Sequence, residues 1–237
     1  VSAAPSRGRG APPRFPAPAA LAFTTLVAFA LLAGCAHHPV TLYSENDRYF
    51  AGTDRHYTNG AKLTVTQPAP QKSGVAHALD ALGRSLRRFE PYDVSHEKVD
   101  HKLSYSLGQN IYTPTEIHTT APQPNDRPYA AWLYGGIAFQ RQQDDLFQAI
   151  ELQLGVIGPM ALGRQIQNGV HDFLHIARAD GWGHQLRNEP GVNLAYDWRY
   201  RARRDSTSTQ PDTGFSYDVI RRLGLNLGNI NTSLHAG

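Results

Sequence analysis

Beyond residue 40 the chain alternates apolar and polar positions with a period of two. Leu103, Tyr105 and Leu107 alternate with Ser104, Ser106 and Gly108, and Ile150, Leu152, Leu154 and Val156 with Glu151, Gln153 and Gly155. Leu133, Gly135, Ile137 and Phe139 interleave with Trp132, Tyr134 and Gly136, and Val192, Leu194, Tyr196, Trp198 and Tyr200 with Asn193, Ala195, Asp197 and Arg199. Val40–Tyr43 and Ala61–Val65 read as two shorter strands. A strand with this period shows one face to an apolar medium and the other to a polar one. In a soluble sandwich the apolar faces meet in a dry core. In an outer-membrane barrel they meet lipid, and the polar faces line a hydrated interior. Strands of about ten residues suit a tilted membrane span. Tyr and Trp near the strand ends suit an interfacial girdle. The pattern predicts an all-β fold, a transmembrane up-and-down antiparallel β-barrel of the outer membrane.

The connections alternate in character. The odd-to-even loops, Glu45–His56, Tyr112–Pro128 and Gly158–Pro190, hold the residue types suited to chemistry. The even-to-odd connections are Gln67–Asp100, Arg141–Asp145 and Arg201–Thr213. An up-and-down order puts each parity on one side of the membrane, and a periplasmic N-terminus puts the first set outside. Gln67–Asp100 contains an amphipathic stretch, Val75–Phe89, with Arg84, Arg87 and Arg88. It reads as a solvated helix or an interfacial clip on the periplasmic side. The alternation yields about eight strands, and the chain stops at Gly237 without the terminal aromatic typical of outer-membrane barrels. The expectation is that its last strands are missing.

Composition narrows the class. The net charge of +3 over 237 residues is small and its basic residues are scattered, which argues against nucleic acid as a partner. Arg7, Arg9 and Arg14 precede the apolar run Leu21–Ala33, the layout of a signal peptide over residues 1–35. The sole cysteine, Cys35, follows Leu32-Ala33-Gly34, so no intramolecular disulfide can form. The segment fits both a lipoprotein box ending at Cys35 and ordinary cleavage after small residues.

Two stretches carry candidate chemistry. Ser44–Gly60 (SENDRYFAGTDRHYTNG) joins two strands with far more polar groups than a turn requires. Asn46 and Asp47 offer the oxygen ligands a hard cation prefers, and Thr58, Asn59 and Asp126 lie on the same side. Asp126-Arg127 otherwise reads as a structural ion pair. After Gly158-Pro159 the period becomes helical. Ile166, Val170, Phe173 and Ala177 form an apolar stripe, expected to pack on the sheet wall. Gln167, His171 and His175 recur on another face, so a helix is predicted in this extracellular loop. A packed His171 suits a general base, because histidine titrates near neutrality. A surface histidine pair is the plainer alternative, and a zinc pair lacks the glutamate of H-E-x-x-H. No G-x-S-x-G is present.

In order along the chain, Glu45-Asn46-Asp47, Asp54-Arg55-x-Tyr57-Thr58-x-Gly60, Gly108-Gln109-x-Ile111-Tyr112-x-Pro114 and Asp126-Arg127-x-Tyr129-Ala130 resemble the lipid A 3'-O-deacylase family. Gly155-Val156-Ile157-Gly158-Pro159, Gln167-Asn168-x-x-His171 and Trp182-x-x-Gln185 continue the likeness. The resemblance implies an outer-membrane deacylase-like barrel over residues 36–237. It implies a carboxylic ester hydrolase that removes the 3'-linked acyl chain of lipid A. His171 would activate water, Asn46, Asp47 and Thr58 would complete the site, and calcium held by Asp47 and Asn46 would stabilise the oxyanion. It further implies lipopolysaccharide as substrate, a monomer, and a site facing the outer leaflet. Two positions depart from the family: Thr115–Asn125 lacks lysine and arginine, and Ala177 stands where an acid is seen six residues past the histidine. A non-catalytic lipid-binding barrel lipoprotein is the alternative. A small porin gives no role to the His171 helix.

Overall fold

The computed structural model describes residues 38–45, 59–69, 74, 76–78, 80–81, 99–202 and 218–237. The predicted targeting segment, Arg84 to Arg88, and the candidate residues Asn46, Asp47 and Thr58 lie outside them. Among the described residues eight strands follow the alternation: β1 (Val40–Glu45), β2 (Asn59–Pro68), β3 (Asp100–Tyr112), β4 (Ala130–Gln143), β5 (Leu146–Ile157), β6 (Glu189–Ala202), β7 (Val219–Gly228) and β8 (Ser233–Ala236). One helix, α1 (Gly163–Phe173), lies between β5 and β6. Each strand pairs antiparallel with its chain neighbours, giving one sheet in the order β1 to β8.

The expected closed barrel is not what forms. Among the described residues the sheet is open: β1 pairs with β2 alone, and the four residues of β8 pair with β7 alone. The physical reason is that period-two alternation reports the two faces of each strand. Closure instead needs the first and last strands to meet, and no local pattern encodes that.

Register sets the faces. Leu63, Leu107, Gly135, Leu154 and Val192 share one row, with Val65, Tyr105, Ile137, Leu152, Leu194 and Leu227 in the next row of the same face. Between them, Thr64, Ser106, Gly136, Gln153 and Asn193 face the other way. The polar face is concave and bounds a cavity of about 250 Å³, where Lys62 pairs with Glu151 at 2.7 Å and Ser106 donates to the same carboxylate at 3.0 Å. Trp132 and Tyr134 also turn to this face, stacked 4.1 Å apart, so they do not form the outward girdle expected of them.

The convex apolar face is covered at both ends and open between. At one end, helical residues between 74 and 81 dock on it: Ala76 is buried with Ala69 and Phe139. Asp80 accepts from the buried Arg141 at 2.7 Å and lies 3.3 Å from His101 Nε2. These residues are packed on the sheet rather than solvated, and the rest of Val75–Phe89 lies outside the described residues. At the other end, Ile111, Ala131, Leu133 and Val156 lie beneath Ile117, Tyr129, Ala161 and Trp182. Midway, Ile137 and Leu154 are exposed.

Candidate functional site: a buried histidine on α1

The three odd-to-even connections leave the sheet at one level. Glu45, Gly60, Asn110, Trp132, Ile157 and Glu189 are successive partners across β1 to β6. Residues 46–58 therefore start and end at the same edge as the loop carrying α1. Strands lie about 4.8 Å apart, and α1 packs over β3 and β4.

Backbone geometry launches the helix. Gly158 has φ 95°, and a Cβ there would lie 2.4 Å from the Arg187 carbonyl oxygen. Glycine is required at that turn. A short 3₁₀ turn, Pro159–Ala161, follows, and its Ala161 carbonyl accepts from the Gln109 side chain at 2.5 Å. Leu162 at φ 60° then starts α1. At Gly163 a Cβ would lie 2.5 Å from both Ala131 Cβ and the Trp182 ring, so the absence of a side chain lets α1 approach β4.

Trp182 is the centre of the packing. It is buried, its ring lies 4.9 Å from that of Tyr129, and Tyr129 donates its hydroxyl to the Ile117 carbonyl at 2.9 Å. Its Nε1–H donates to Gln167 Oε1 at 2.9 Å, which leaves the buried Gln167 Nε2 without a partner among the described residues. One turn on, His171 is buried, and its Nδ1 lies 2.6 Å from the Ala177 carbonyl oxygen. A carbonyl only accepts, so Nδ1 is the donor and the neutral ring carries its lone pair on Nε2. That is the tautomer of a general base. Asn168 clamps the returning chain: its Oδ1 accepts from Ala179 N at 2.9 Å and its Nδ2 donates to Ala179 O at 3.2 Å. Asp172 and Arg178 close the same turn with two hydrogen bonds, the Nε one at 2.6 Å. The Arg178 guanidinium holds the Asp172 carboxyl below its usual range, and Asp172 raises Arg178 in turn. The loop before β4 is tied to this turn by Asp180 N to Ile117 O at 2.9 Å, and by His118 Nδ1 to Arg178 O at 3.0 Å.

Several expectations change. The helix lies with its apolar stripe outward: Ile166, Val170 and Phe173 are 42%, 43% and 81% exposed, while Gln167 and His171 are buried. The sheet end is already covered by Trp182, Ala161 and Ile117. What faces α1 is an indole N–H and a carbonyl, and these need polar partners. Ala177 lies beyond the helix, where its carbonyl serves rather than its side chain. His175 also lies past the helix, exposed and at φ 56°, so it shares no face with His171. Asp126, whose structural reading is unaffected, accepts from Thr115 N and Arg127 N at 2.7 Å each.

Asn46, Asp47 and Thr58 lie outside the described residues, and among those described no group of three His, Cys, Asp or Glu side chains could hold a metal. Sequence reasoning singled out no role for Asp172, Arg178 or the Ala177 carbonyl. The first two carry an i, i+6 charge signal, and a main-chain carbonyl carries none.

The fold and site define a class: an antiparallel sheet with one apolar and one polar face, bearing a buried imidazole at one end. The family model described as "Outer membrane protein LpxR" matches residues 19–237. The chain belongs to this LpxR family of outer-membrane lipid A 3'-O-deacylases. Among solved structures, LpxR from Salmonella typhimurium is similar at 18% identity and a TM-score of 0.54. The match covers 88% of this chain and 56% of that one, and a likeness at this identity speaks for the fold alone. No curated protein matches the chain.

Proposed function

We propose that the protein is an outer-membrane esterase that hydrolyses the 3'-O-linked acyl chain of lipid A. The observation that carries this is the tautomer of His171, held by the Ala177 carbonyl on the buried face of α1. His171 Nε2 takes a proton from water as the water oxygen bonds to the ester carbonyl carbon. The resulting imidazolium keeps its Nδ1–H on the Ala177 carbonyl. It then gives the Nε2 proton to the departing 3'-oxygen as the C–O bond breaks, releasing the fatty acid. The main-chain acceptor at residue 177 does what a carboxylate six residues past the histidine would do.

The donor set at the neighbouring loop consists of hard oxygens, which fits calcium. Asn46 and Asp47 would hold the ion and Thr58 would complete the site. When bound, calcium supplies charge stabilisation for the carbonyl oxygen. The common edge from which residues 46–58 and the α1 loop leave the sheet supports their sharing a single site. In this reading that site faces the outer leaflet and a monomer works on lipopolysaccharide. A non-catalytic lipid-binding role is the second reading. It is favoured by Thr115–Asn125, which has no lysine or arginine to grip a phosphorylated sugar. Mass spectrometry of lipid A from cells with and without the full-length protein separates the two. Loss of the 3'-acyl mass supports the esterase, and an unchanged pattern contradicts it.

A further inference from the structure

We infer that α1 is a lipid-seated helix: its outward stripe of Ile166, Val170 and Phe173 sits in the hydrocarbon of the near leaflet while its inner face works on the ester. This rests on the membrane location proposed above. The helix is inverted relative to a water-exposed one, because Gln167 and His171 are buried and the stripe is exposed. In water, an 11-residue helix of this composition would turn its apolar side to the sheet. Leu174 and Met160, just beyond the two ends of the stripe, are also exposed, at 57% and 49%. Large apolar side chains exposed together along one helix face mark an interaction site.

Continuity with the sheet selects the occupant. Val156 packs against the buried cluster that contains Ala161 and Trp182, whereas Leu154, one step down the same convex face, is 53% exposed. Leu154 pairs with Val192, also exposed. The apolar belt of the convex face therefore runs to the foot of the α1 loop, and one apolar medium satisfies both. The exposed Arg164 and the Asp172–Arg178 pair supply the polar groups that an interfacial helix keeps at a headgroup level. An ester drawn from the leaflet then reaches His171 without its acyl chain leaving hydrocarbon.

The test uses the full-length protein with Cys35→Ser and one new cysteine at Phe173, Leu154 or Asp180, each carrying an environment-sensitive fluorophore. The proteins are reconstituted in vesicles with and without lipids bearing a quencher on the acyl chain. The inference expects Phe173→Cys and Leu154→Cys to lose most of their emission to the quencher lipids, and Asp180→Cys to keep it. Quenching at 154 but not at 173 overturns the inference and leaves the membrane location standing. Quenching at neither position overturns the membrane location itself. A label at 173 shielded from both quencher lipid and aqueous iodide, with copies that cross-link there, overturns the inference in favour of a protein partner.

Discussion

Gly163→Ala is the sharpest probe of how α1 is held. The gain of about 0.5–1 kcal/mol from this change belongs to a helix interior, and at Gly163, the first residue of α1, only part of it is realised. Here the new Cβ would lie 2.5 Å from Ala131 Cβ and 2.5 Å from the Trp182 ring. Carbon contacts settle near 3.5 Å, so something must move by about 1 Å. Ala131 Cβ is fixed to β4 and Trp182 is held in the core, so α1 is the element that gives. Overpacking of this kind costs about 1–3 kcal/mol, and the helix gain offsets only part of it. The net expectation is a loss of about 1–2 kcal/mol. A displacement of about 1 Å at His171 can lower turnover by as much as ~10²-fold. Thermal unfolding and the rate of acyl release on the purified full-length protein measure both effects. Gly169→Ala is the control: nothing lies within 4 Å of its Cβ, so it should be neutral or stabilising with unchanged rate. Equal stability and rate in Gly163→Ala and wild type would refute the view that close approach at Gly163 positions the helix.

Other perturbations follow the same logic. Trp182→Phe removes the donor to Gln167 and leaves a buried amide unpaired, an expected loss of about 1–3 kcal/mol read by denaturant unfolding. Asp80→Ala leaves the buried Arg141 without its carboxylate and should cost about 3–5 kcal/mol, while Arg141→Met in the same assay should cost far less. Asp172 is held below its usual range, so its bond to Arg178 is fully present above the ordinary carboxylate pKa and is lost as pH falls through the lowered folded value. Asp172→Asn should therefore lower stability slightly at neutral pH, with the gap to wild type closing only in acid. Thermal unfolding across pH checks this. Calcium chelation and Asp47→Ala should each abolish acyl release, and readdition of calcium should rescue only the wild type.

Much of the fold is legible because β-strands carry their own period. The eight strands and the parity of their loops follow from the alternation of residues such as Leu103 to Leu107 and Ile150 to Val156. Closure was not legible, because it depends on two distant edges meeting. The helix was legible from Ile166, Val170 and Phe173, yet its orientation was not. Local periodicity locates an apolar stripe but cannot say whether sheet or an apolar solvent lies beyond it. His171 was singled out by its spacing and by the family likeness, and its burial was expected from a packed helix. Its orienting partner was not, since the Ala177 carbonyl belongs to the backbone and any residue there supplies one. Trp182 was read as part of a motif. Its role as hydrogen-bond donor to Gln167 emerges only once the loop after α1 folds back on the helix.

The central claim is that His171 is the base for ester hydrolysis, and 3'-acyl release from lipid A by His171→Asn tests it most directly. The variant keeps a polar, comparably sized side chain but no imidazole. The account predicts a rate lower by about 10²–10⁴-fold, with folding unchanged by circular dichroism. A correctly folded His171→Asn protein that releases the acyl chain at the wild-type rate would contradict it.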